Sequence, residues 1–228
     1  MLFIEHILSL IAPHMCVGCQ KEGAVICKDC IQKLPSPPLV CIFCGSNNVH
    51  QNLCAACVVK TGMDSVLVFT MYEGLAQKLL RASKFERASV GLTQIAEMVA
   101  TLPAPEGVIT YLPTANQRVR QRGHDHARRI ARDVSRLKRK PILSLILRTN
   151  NERQAGASAL TRTMHMQNAF RITETKNLKD QHVIVIDDVI TTGASMTAAA
   201  KLLKQVGAAK VHGMAFAWTP PKKDPEIH

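Results

Sequence analysis

Two adjacent carboxylates, Asp187 and Asp188, stand just before a short loop rich in threonine and glycine. Residues 183–186 before them are all apolar and β-forming, which is typical of a buried parallel strand, and residues after the loop continue as a helix to Val206. Backbone N–H groups and hydroxyls at such a helix N-terminus can hold a phosphate. The phosphate-binding candidates are Thr191, Thr192, Gly193, Ala194 and Ser195. The pattern predicts a phosphate site beside two carboxylates, at the ligand-binding edge of an α/β sheet.

Two carboxylates would repel a phosphate unless they accept protons from hydroxyl groups or act together with a divalent cation. A phosphorylated sugar satisfies both conditions. The alternative is an ordinary strand-to-helix turn in some other α/β protein, but this gives no packing reason for an Asp pair followed by Thr-Thr-Gly.

The segment 183–195 resembles the phosphoribosyl pyrophosphate (PRPP) signature of type I phosphoribosyltransferases. This resemblance implies that Asp187 and Asp188 hold the ribose hydroxyls and that residues 191–195 hold the 5′-phosphate. It also implies that PRPP binds together with Mg²⁺.

Eight cysteines near the N-terminus form a second chemical signal, because all of them fall in C-x-x-C pairs. They are Cys16, Cys19, Cys27, Cys30, Cys41, Cys44, Cys54 and Cys57. Two such pairs complete a tetrahedral Cys₄ site, so eight ligands indicate two structural Zn²⁺ ions in a double zinc ribbon. Sequential pairing joins the first four and the last four cysteines, and a crossed pairing stays open. Disulfides are less favoured, since the spacing is that of metal sites and no secretion signal is found. Zinc either only folds a segment too small for its own core, or the ribbon also binds a partner protein or a nucleic acid.

The 228 residues, 46% of them hydrophobic, are enough for one α/β domain and a small appendage. We expect a helix over residues 1–14, the double zinc ribbon over 15–62, the phosphoribosyltransferase-like domain over 63–219 and a flexible tail over 220–228. The apolar N-terminal segment is too short for a membrane span, which needs about 20 residues, so peripheral membrane contact is the minority alternative. The net charge of +12 favours polyanions as partners.

The rest of the chain alternates between apolar runs and amphipathic segments, which predicts a parallel sheet with helices on both faces. Strands are expected over residues 66–72, 107–113, 142–147 and 210–219, and helices over 74–85, 89–102, 125–140 and 161–168. The polar start of 148–170 is expected to form a lid over the site.

Arginines lie in two places where they could meet phosphate groups. Arg118, Arg120 and Arg122 follow the strand over 107–113, on the side of the Asp pair if both strands are parallel, and could bind the pyrophosphate of PRPP in bidentate fashion. The alternative is a solvated basic loop. The helix over 125–140 is strongly basic, with Ile130, Val134 and Leu137 on its expected buried face. Its candidate DNA-binding residues are Arg128, Arg129 and Arg132.

Nearly the whole chain resembles the ComF family, also called ComFC or GntX-like. Besides the cysteine pairs and the phosphate loop, the shared features are Lys84-Phe85, Pro113 with the three arginines and Gly123, Gln154, Ser158, Arg162 and Ala169-Phe170. The chain departs from the family pattern at Tyr111-x-Pro113, His124-Asp125-His126 and His165.

The resemblance implies a cytoplasmic PRPP-binding protein, with the inner face of the membrane as a second location. Such a protein acts in natural transformation, handles imported single-stranded DNA and works with DNA-uptake proteins. The alternative function is an active phosphoribosyltransferase of nucleotide metabolism with an unidentified acceptor. A purely structural role would leave the Asp pair unexplained.

Overall fold

The computed structural model of the protein describes residues 14–47, 49–50, 52–83, 88–114, 125–149, 169–173 and 178–221. Within these ranges the helices are α1 (Lys28–Ile31), α2 (Ala55–Thr61), α3 (Gly74–Ala82), α4 (Ala88–Thr101), α5 (His126–Lys138) and α6 (Ala194–Gln205). The strands are β1 (Ser65–Met71), β2 (Val108–Tyr111), β3 (Ile146–Arg148), β4 (Phe170–Ile172), β5 (His182–Ile190) and β6 (Lys210–Trp218).

A parallel sheet in the order β1-β6-β5-β2 lies at the centre of the chain. The two central strands, β5 and β6, are nine residues each and carry long apolar runs, as expected of strands covered on both faces. β3 and β4 form a separate antiparallel pair. The expected α/β class with a parallel sheet is confirmed.

Alternate side chains of β5 divide the core into two halves. Val183 and Val185 pack on one side of the sheet, here called face A, together with α6 and the cysteines from Cys41 onward. Ile184 and Ile186 pack on the other side, here called face B, with helices α3, α4 and α5 and the earlier cysteines. The two cysteine groups therefore lie on opposite faces of the sheet.

Most expected elements are present, with bounds that differ by a few residues. The strand expected over 142–147 is Ile146–Arg148, and Ile142 makes only a single bridge to Ile109. β4 is a strand that the sequence reading did not predict. The expected burial of Leu137 is wrong: it is 47% exposed because it lies in the last turn of α5, beyond the packed part of the helix.

Several expectations fall outside the described residues. These are most of the N-terminal helix, the arginine loop, most of the lid, the helix over 161–168 and most of the tail. Among the described helices, none is long and apolar enough to cross a membrane.

Candidate functional site

The Asp pair stands where β2 leaves the sheet. β2 pairs with β5 only as far as Tyr111, opposite Ile186, and the backbone N–H of Leu112 then donates to the Ile186 carbonyl at 3.0 Å. β5 runs on to Ile190 along β6 alone. This strand is four residues longer than the apolar run that ends at Ile186, because β6 supplies a pairing partner throughout. Among the described residues, the two carboxylates therefore border the space beside β5 where β2 has ended, here called the notch, at the carboxyl edge of the sheet where ligands of α/β proteins bind.

The alternation of side chains between the two faces changes at these two residues. Val189 packs on face B and Ile190 on face A, so the alternation of β5 has shifted by one position after Ile186. The Asp187 carboxylate accepts from the N–H of Asp188 at 2.9 Å, and the Asp188 carboxylate accepts from the N–H of Val189 at 2.8 Å. The same change of face occurs in β6, where Ala217 lies on face B and Trp218 on face A. The register between β5 and β6 stays constant through this point, so no extra residue is inserted in either strand.

The charges around the pair favour a neutral Asp187. Burial, and then the negative charge of Asp188, raise the pKa of Asp187 well above its ordinary value, and Asp125 adds to the effect. His126 is only 3% exposed, and its Nδ1 atom lies 3.8 Å from Oδ2 of Asp188. A cation that arrives with a ligand would lower the pKa of Asp187, because a positive charge stabilises the carboxylate. Hydroxyl groups that donate hydrogen bonds to the carboxylate would do the same.

Asp125 and His126 are site neighbours that the sequence analysis did not assign a role. The carboxylate of Asp125 accepts from Thr114 twice, from the N–H at 2.9 Å and from the hydroxyl at 3.0 Å. It also caps α5 by accepting from the N–H of Arg128 at 3.2 Å. Asp125 thus ties the exit of β2 to the start of α5. The available signal was an Asp directly before a helical pattern, the usual N-cap.

The predicted phosphate loop joins β5 to α6. Gly193 is the N-cap residue at φ 69°, a left-handed conformation that favours glycine. α6 has no side-chain cap from this residue, and the hydroxyl of Thr192 accepts from the N–H of Ala194 only at 3.4 Å. The side chains of Thr191 and Thr192 are exposed. Beyond this one long hydrogen bond, the described side chains leave the first amides of α6 open to an anion.

The eight cysteines form two separate clusters, each with all four Sγ atoms within 4.8 Å of one another. Group one is Cys16, Cys19, Cys27 and Cys30, and group two is Cys41, Cys44, Cys54 and Cys57. This confirms the sequential pairing and excludes the crossed one. None of the eight forms a disulfide.

The sulfur geometry fits zinc. The Sγ atoms of Cys19 and Cys27 are 3.6 Å apart, and those of Cys44 and Cys54 are also 3.6 Å apart. A tetrahedral ion with Zn–S bonds of about 2.3 Å needs sulfur atoms about 3.8 Å apart, whereas a disulfide needs about 2 Å. The sulfur positions in each group are therefore consistent with one structural zinc ion, which makes two ions in all.

Each group contains at least one cysteine whose pKa is lowered, and in group two hydrogen bonds to Ser46 lower the pKa of Cys44 as well as that of Cys54. Burial raises the pKa of Cys16, but N–H donors from Cys19, Cys27 and Gly18 outweigh it and lower the pKa to about 6. In group two, hydrogen bonds from the Cys57 backbone and the Ser46 hydroxyl lower the pKa of Cys54 to about 6. Zinc requires thiolate ligands, so these donors favour its binding.

The candidate DNA-binding arginines differ in their surroundings. Arg128 and Arg132 are exposed on α5. Arg129 donates from Nε to the carboxylate of the buried Asp133 at 3.0 Å, and its other end lies 3.4 Å from the Thr93 hydroxyl. The arginines of the predicted pyrophosphate loop lie outside the described residues. Of the three DNA candidates, two are thus presented to solvent and one is held against the protein.

The chain is similar to known proteins along most of its length. A model of the phosphoribosyl transferase domain family matches residues 121–227, which include α5, β5, α6 and β6. Competence protein F of Haemophilus influenzae is 27% identical, over 89% of this chain and 96% of that protein. The DNA utilization protein YhgH of Escherichia coli K12 is 26% identical with the same coverage. Competence protein ComFC of Bacillus subtilis is 27% identical, over 83% of this chain and 82% of that protein.

The solved structures that match this chain are more distant in sequence. The allosteric regulatory enzyme of purine biosynthesis matches 54% of this chain with 16% identity and a TM-score of 0.40, and the match spans 25% of that enzyme. Adenine phosphoribosyltransferase from Leishmania tarentolae matches 64% of this chain and 74% of its own, with 15% identity and a TM-score of 0.38.

Proposed function

We propose that this chain, which is a ComF/YhgH family protein with a phosphoribosyltransferase domain, binds PRPP together with Mg²⁺ in the notch beyond the end of β2. The observation that carries the proposal is the adjacency of two features on one stretch of chain. A pair of carboxylates lies near the end of β5, past the last residue of β2, and a few residues later Gly193 begins a helix without capping it through a side chain.

Each part of PRPP then meets matching chemistry. The ribose hydroxyls donate to Asp187 and Asp188, and the 5′-phosphate accepts from the loop of residues 191–195 at the positive end of the α6 dipole. Arg118, Arg120 and Arg122 bind the pyrophosphate group, and Mg²⁺ offsets its charge. Because the pKa of free Asp187 is raised, binding of the cation and the hydroxyls releases a proton.

A calorimetric titration of Mg²⁺-PRPP into the zinc-loaded protein tests this site. We expect saturable binding that Asp187→Ala/Asp188→Ala abolishes. Asp64→Ala is the matched control, because Asp64 is a half-buried carboxylate just before β1, at the opposite edge of the sheet, where it pairs with Lys204 at 2.9 Å. A folded wild-type protein that binds no PRPP, or equal losses in the two kinds of variant, would reject the site.

We also propose that the exposed face of α5 binds single-stranded DNA. The names of the relatives connect them with competence and DNA utilization. Arg128 and Arg132 are exposed one turn apart on a chain of net charge +12, whereas Arg129 is engaged by Asp133. We therefore expect Arg129 to contribute less than the other two arginines.

Salt dependence of binding to a short single strand tests this interface. The binding constant for single-stranded DNA falls as the salt concentration rises. Removing one arginine that binds a phosphate makes the slope of log K against the logarithm of the salt concentration less steep by about 0.7. Arg128→Ala and Arg132→Ala are expected to reduce the slope and to weaken binding to all sequences alike. Arg129→Ala is the internal control, with a smaller effect on the slope and a loss of stability because the buried Asp133 loses the 3.0 Å hydrogen bond from Nε of Arg129. Equal slopes in all variants would contradict the interface.

The chain's role in the cell is proposed to be handling of imported single-stranded DNA in natural transformation. It would act with DNA-uptake proteins in the cytoplasm or at the inner face of the membrane. The second candidate is transfer of the phosphoribosyl group to an unidentified acceptor, which the phosphoribosyltransferase family match favours. Release of pyrophosphate from PRPP in the presence of nucleobases or DNA separates them, since only the enzyme requires it.

A further inference from the structure

Group two is in direct contact with the phosphate loop. Phe43 lies inside the Cys41–Cys44 knuckle and is half-buried against Gly193. A Cβ atom placed on Gly193 would overlap ring carbons Cδ1 and Cε1 of Phe43. Gly193 is therefore required for two separate reasons, the left-handed backbone and the close approach of this ring.

The knuckle that carries Phe43 is anchored to the sheet. The indole Nε1 of Trp218 donates to the carbonyl of Ile42 at 3.1 Å, and Ile42 in turn donates its N–H to the carbonyl of Asn52 at 3.0 Å. The side chain of Asn52 donates to the carbonyl of Val66 in β1 at 3.1 Å. These bonds fix the knuckle through the last residue of β6 and through β1.

The phosphate loop is attached to the same end of the sheet. The N–H of Thr219, directly after Trp218, donates to the carbonyl of Ile190 at 2.9 Å, just before the loop begins. Trp218 and Ile190 also share the face A core with Cys41 and Ile42. The zinc knuckle, the end of β6 and the phosphate loop therefore form one packed unit.

We propose that Phe43 is a positioning residue for the phosphate loop. Group two, when it holds zinc, keeps the Phe43 ring against Gly193 and so fixes the loop in the form that presents the α6 amides. Zinc in group two then controls affinity for the phosphorylated ligand, and zinc in group one does not. The ligand part of this inference rests on the proposed PRPP site, but the contact between ring and loop does not.

The test compares Cys44→Ser with Cys19→Ser. Cys19 and Cys44 are both exposed, and each is the second cysteine in the first C-x-x-C pair of its group. The Sγ atom of each lies 3.6 Å from that of the following cysteine, Cys27 or Cys54, so the two variants remove equivalent ligands. We follow the amide resonance of Gly193 by NMR and Mg²⁺-PRPP affinity by calorimetry. Cys44→Ser should shift the resonance and weaken binding by about tenfold, which corresponds to 1.4 kcal/mol. Cys19→Ser should leave both unchanged.

Phe43→Ala distinguishes the effect of the Phe43 ring from the effect of the zinc ion in group two. It should keep two zinc ions yet reproduce the Gly193 shift and the weaker binding, and Phe43→Tyr should restore both. Unchanged Gly193 resonances in Phe43→Ala and Cys44→Ser, or equal shifts in Cys19→Ser, would overturn the inference. If the wild-type protein binds no PRPP, the proposed function fails, and the NMR comparison of Cys44→Ser with Cys19→Ser, which both keep the Phe43 ring, still decides whether group two positions the loop.

Discussion

Group one and group two have nearly the same sulfur arrangement but different neighbours. In group one the knuckle residue before the second cysteine is Gly18, and a Cβ there would lie 2.6 Å from Sγ of Cys30. In group two the equivalent residue is Phe43, which extends away from the sulfurs to Gly193. On face B, the knuckle residue of group one therefore packs against the group's own sulfur atoms. On face A, the knuckle residue of group two contacts the candidate ligand site.

The attachments of the two groups differ as well. Group one is held to helix α4 by Gln94, whose amide accepts from the N–H of Ile26 at 3.0 Å and donates to its carbonyl at 2.9 Å. Group two is held to the sheet by Trp218 and Asn52. Cysteine spacing thus specifies the metal site, whereas the residues between the cysteines decide what the site supports.

The largest expected effect is the loss of a whole group. Cys30→Ser and Cys57→Ser each replace a buried thiol, and structural zinc supplies on the order of 10 kcal/mol to the folding of small domains. Both variants should lose one zinc ion. Trp218 is the single tryptophan and donates to Ile42 in group two, so its fluorescence should shift to the red only in Cys57→Ser.

Zinc content and emission spectra measure this difference. A content of one zinc ion per chain shows that each variant has lost a single ion. Equal changes in tryptophan emission would mean that the two groups are coupled through the sheet, and the contrast between the faces would then fail.

The next effect isolates the contact between group two and the loop. Gly193→Ala combines left-handed strain, about 1–2 kcal/mol, with overlap against the Phe43 ring. The added Phe43→Ala should relieve the overlap but leave the strain, so the double variant is more stable than the sum of the single effects predicts. A double-mutant cycle by chemical denaturation should give a coupling of about 1 kcal/mol. Additive effects would show that the ring and the loop do not press on one another.

Group one should affect stability without affecting the site. Gln94→Leu removes both hydrogen bonds to Ile26 and should lower the free energy of unfolding by about 2 kcal/mol, because a buried backbone donor and acceptor lose their partner. Mg²⁺-PRPP affinity should stay at the wild-type value. Chemical denaturation measures the stability and calorimetry measures the affinity, on the same preparations. A loss of affinity in Gln94→Leu would show that group one on face B affects the ligand site as well.

Sequence reading predicted the strand, the loop and helix α6, since their pattern is local to residues 183–206. It also predicted the zinc groups, because C-x-x-C spacing determines ligand geometry at short range. It did not find the contact of Phe43 with Gly193, because these two positions lie far apart along the chain. β4 was missed because a three-residue strand leaves no periodicity. The extension of β5 was missed because pairing with β6 overrides the poor strand propensity of two adjacent aspartates.

The smallest expected effect on stability comes from the ionisation of Asp187 beside its acidic neighbours in the notch. Burial, Asp188 and Asp125 favour the protonated form of Asp187 by raising its pKa. Since the folded state holds this proton more tightly than the unfolded state, the resulting stabilisation is full below the unfolded pKa of about 3.9. It is lost as pH rises through the higher folded pKa. Asn cannot ionise and so avoids this loss of stability, and Asp187→Asn should therefore stabilise the protein near neutral pH by roughly 0.5–1 kcal/mol while PRPP binding is lost.

Thermal unfolding of the two proteins across the pH range measures this difference, which should grow from acid to neutral pH. Cys44→Ser, by contrast, alters the loop through shape, so it should weaken Mg²⁺-PRPP binding relative to the wild type at every pH at which group two of the wild-type protein holds zinc. The wild-type affinity should rise with pH as Asp187 ionises, and Asp187→Asn should show no such rise in any residual binding. A pH-dependent loss in Cys44→Ser would mean that group two acts on the charge of the notch as well as on the form of the loop.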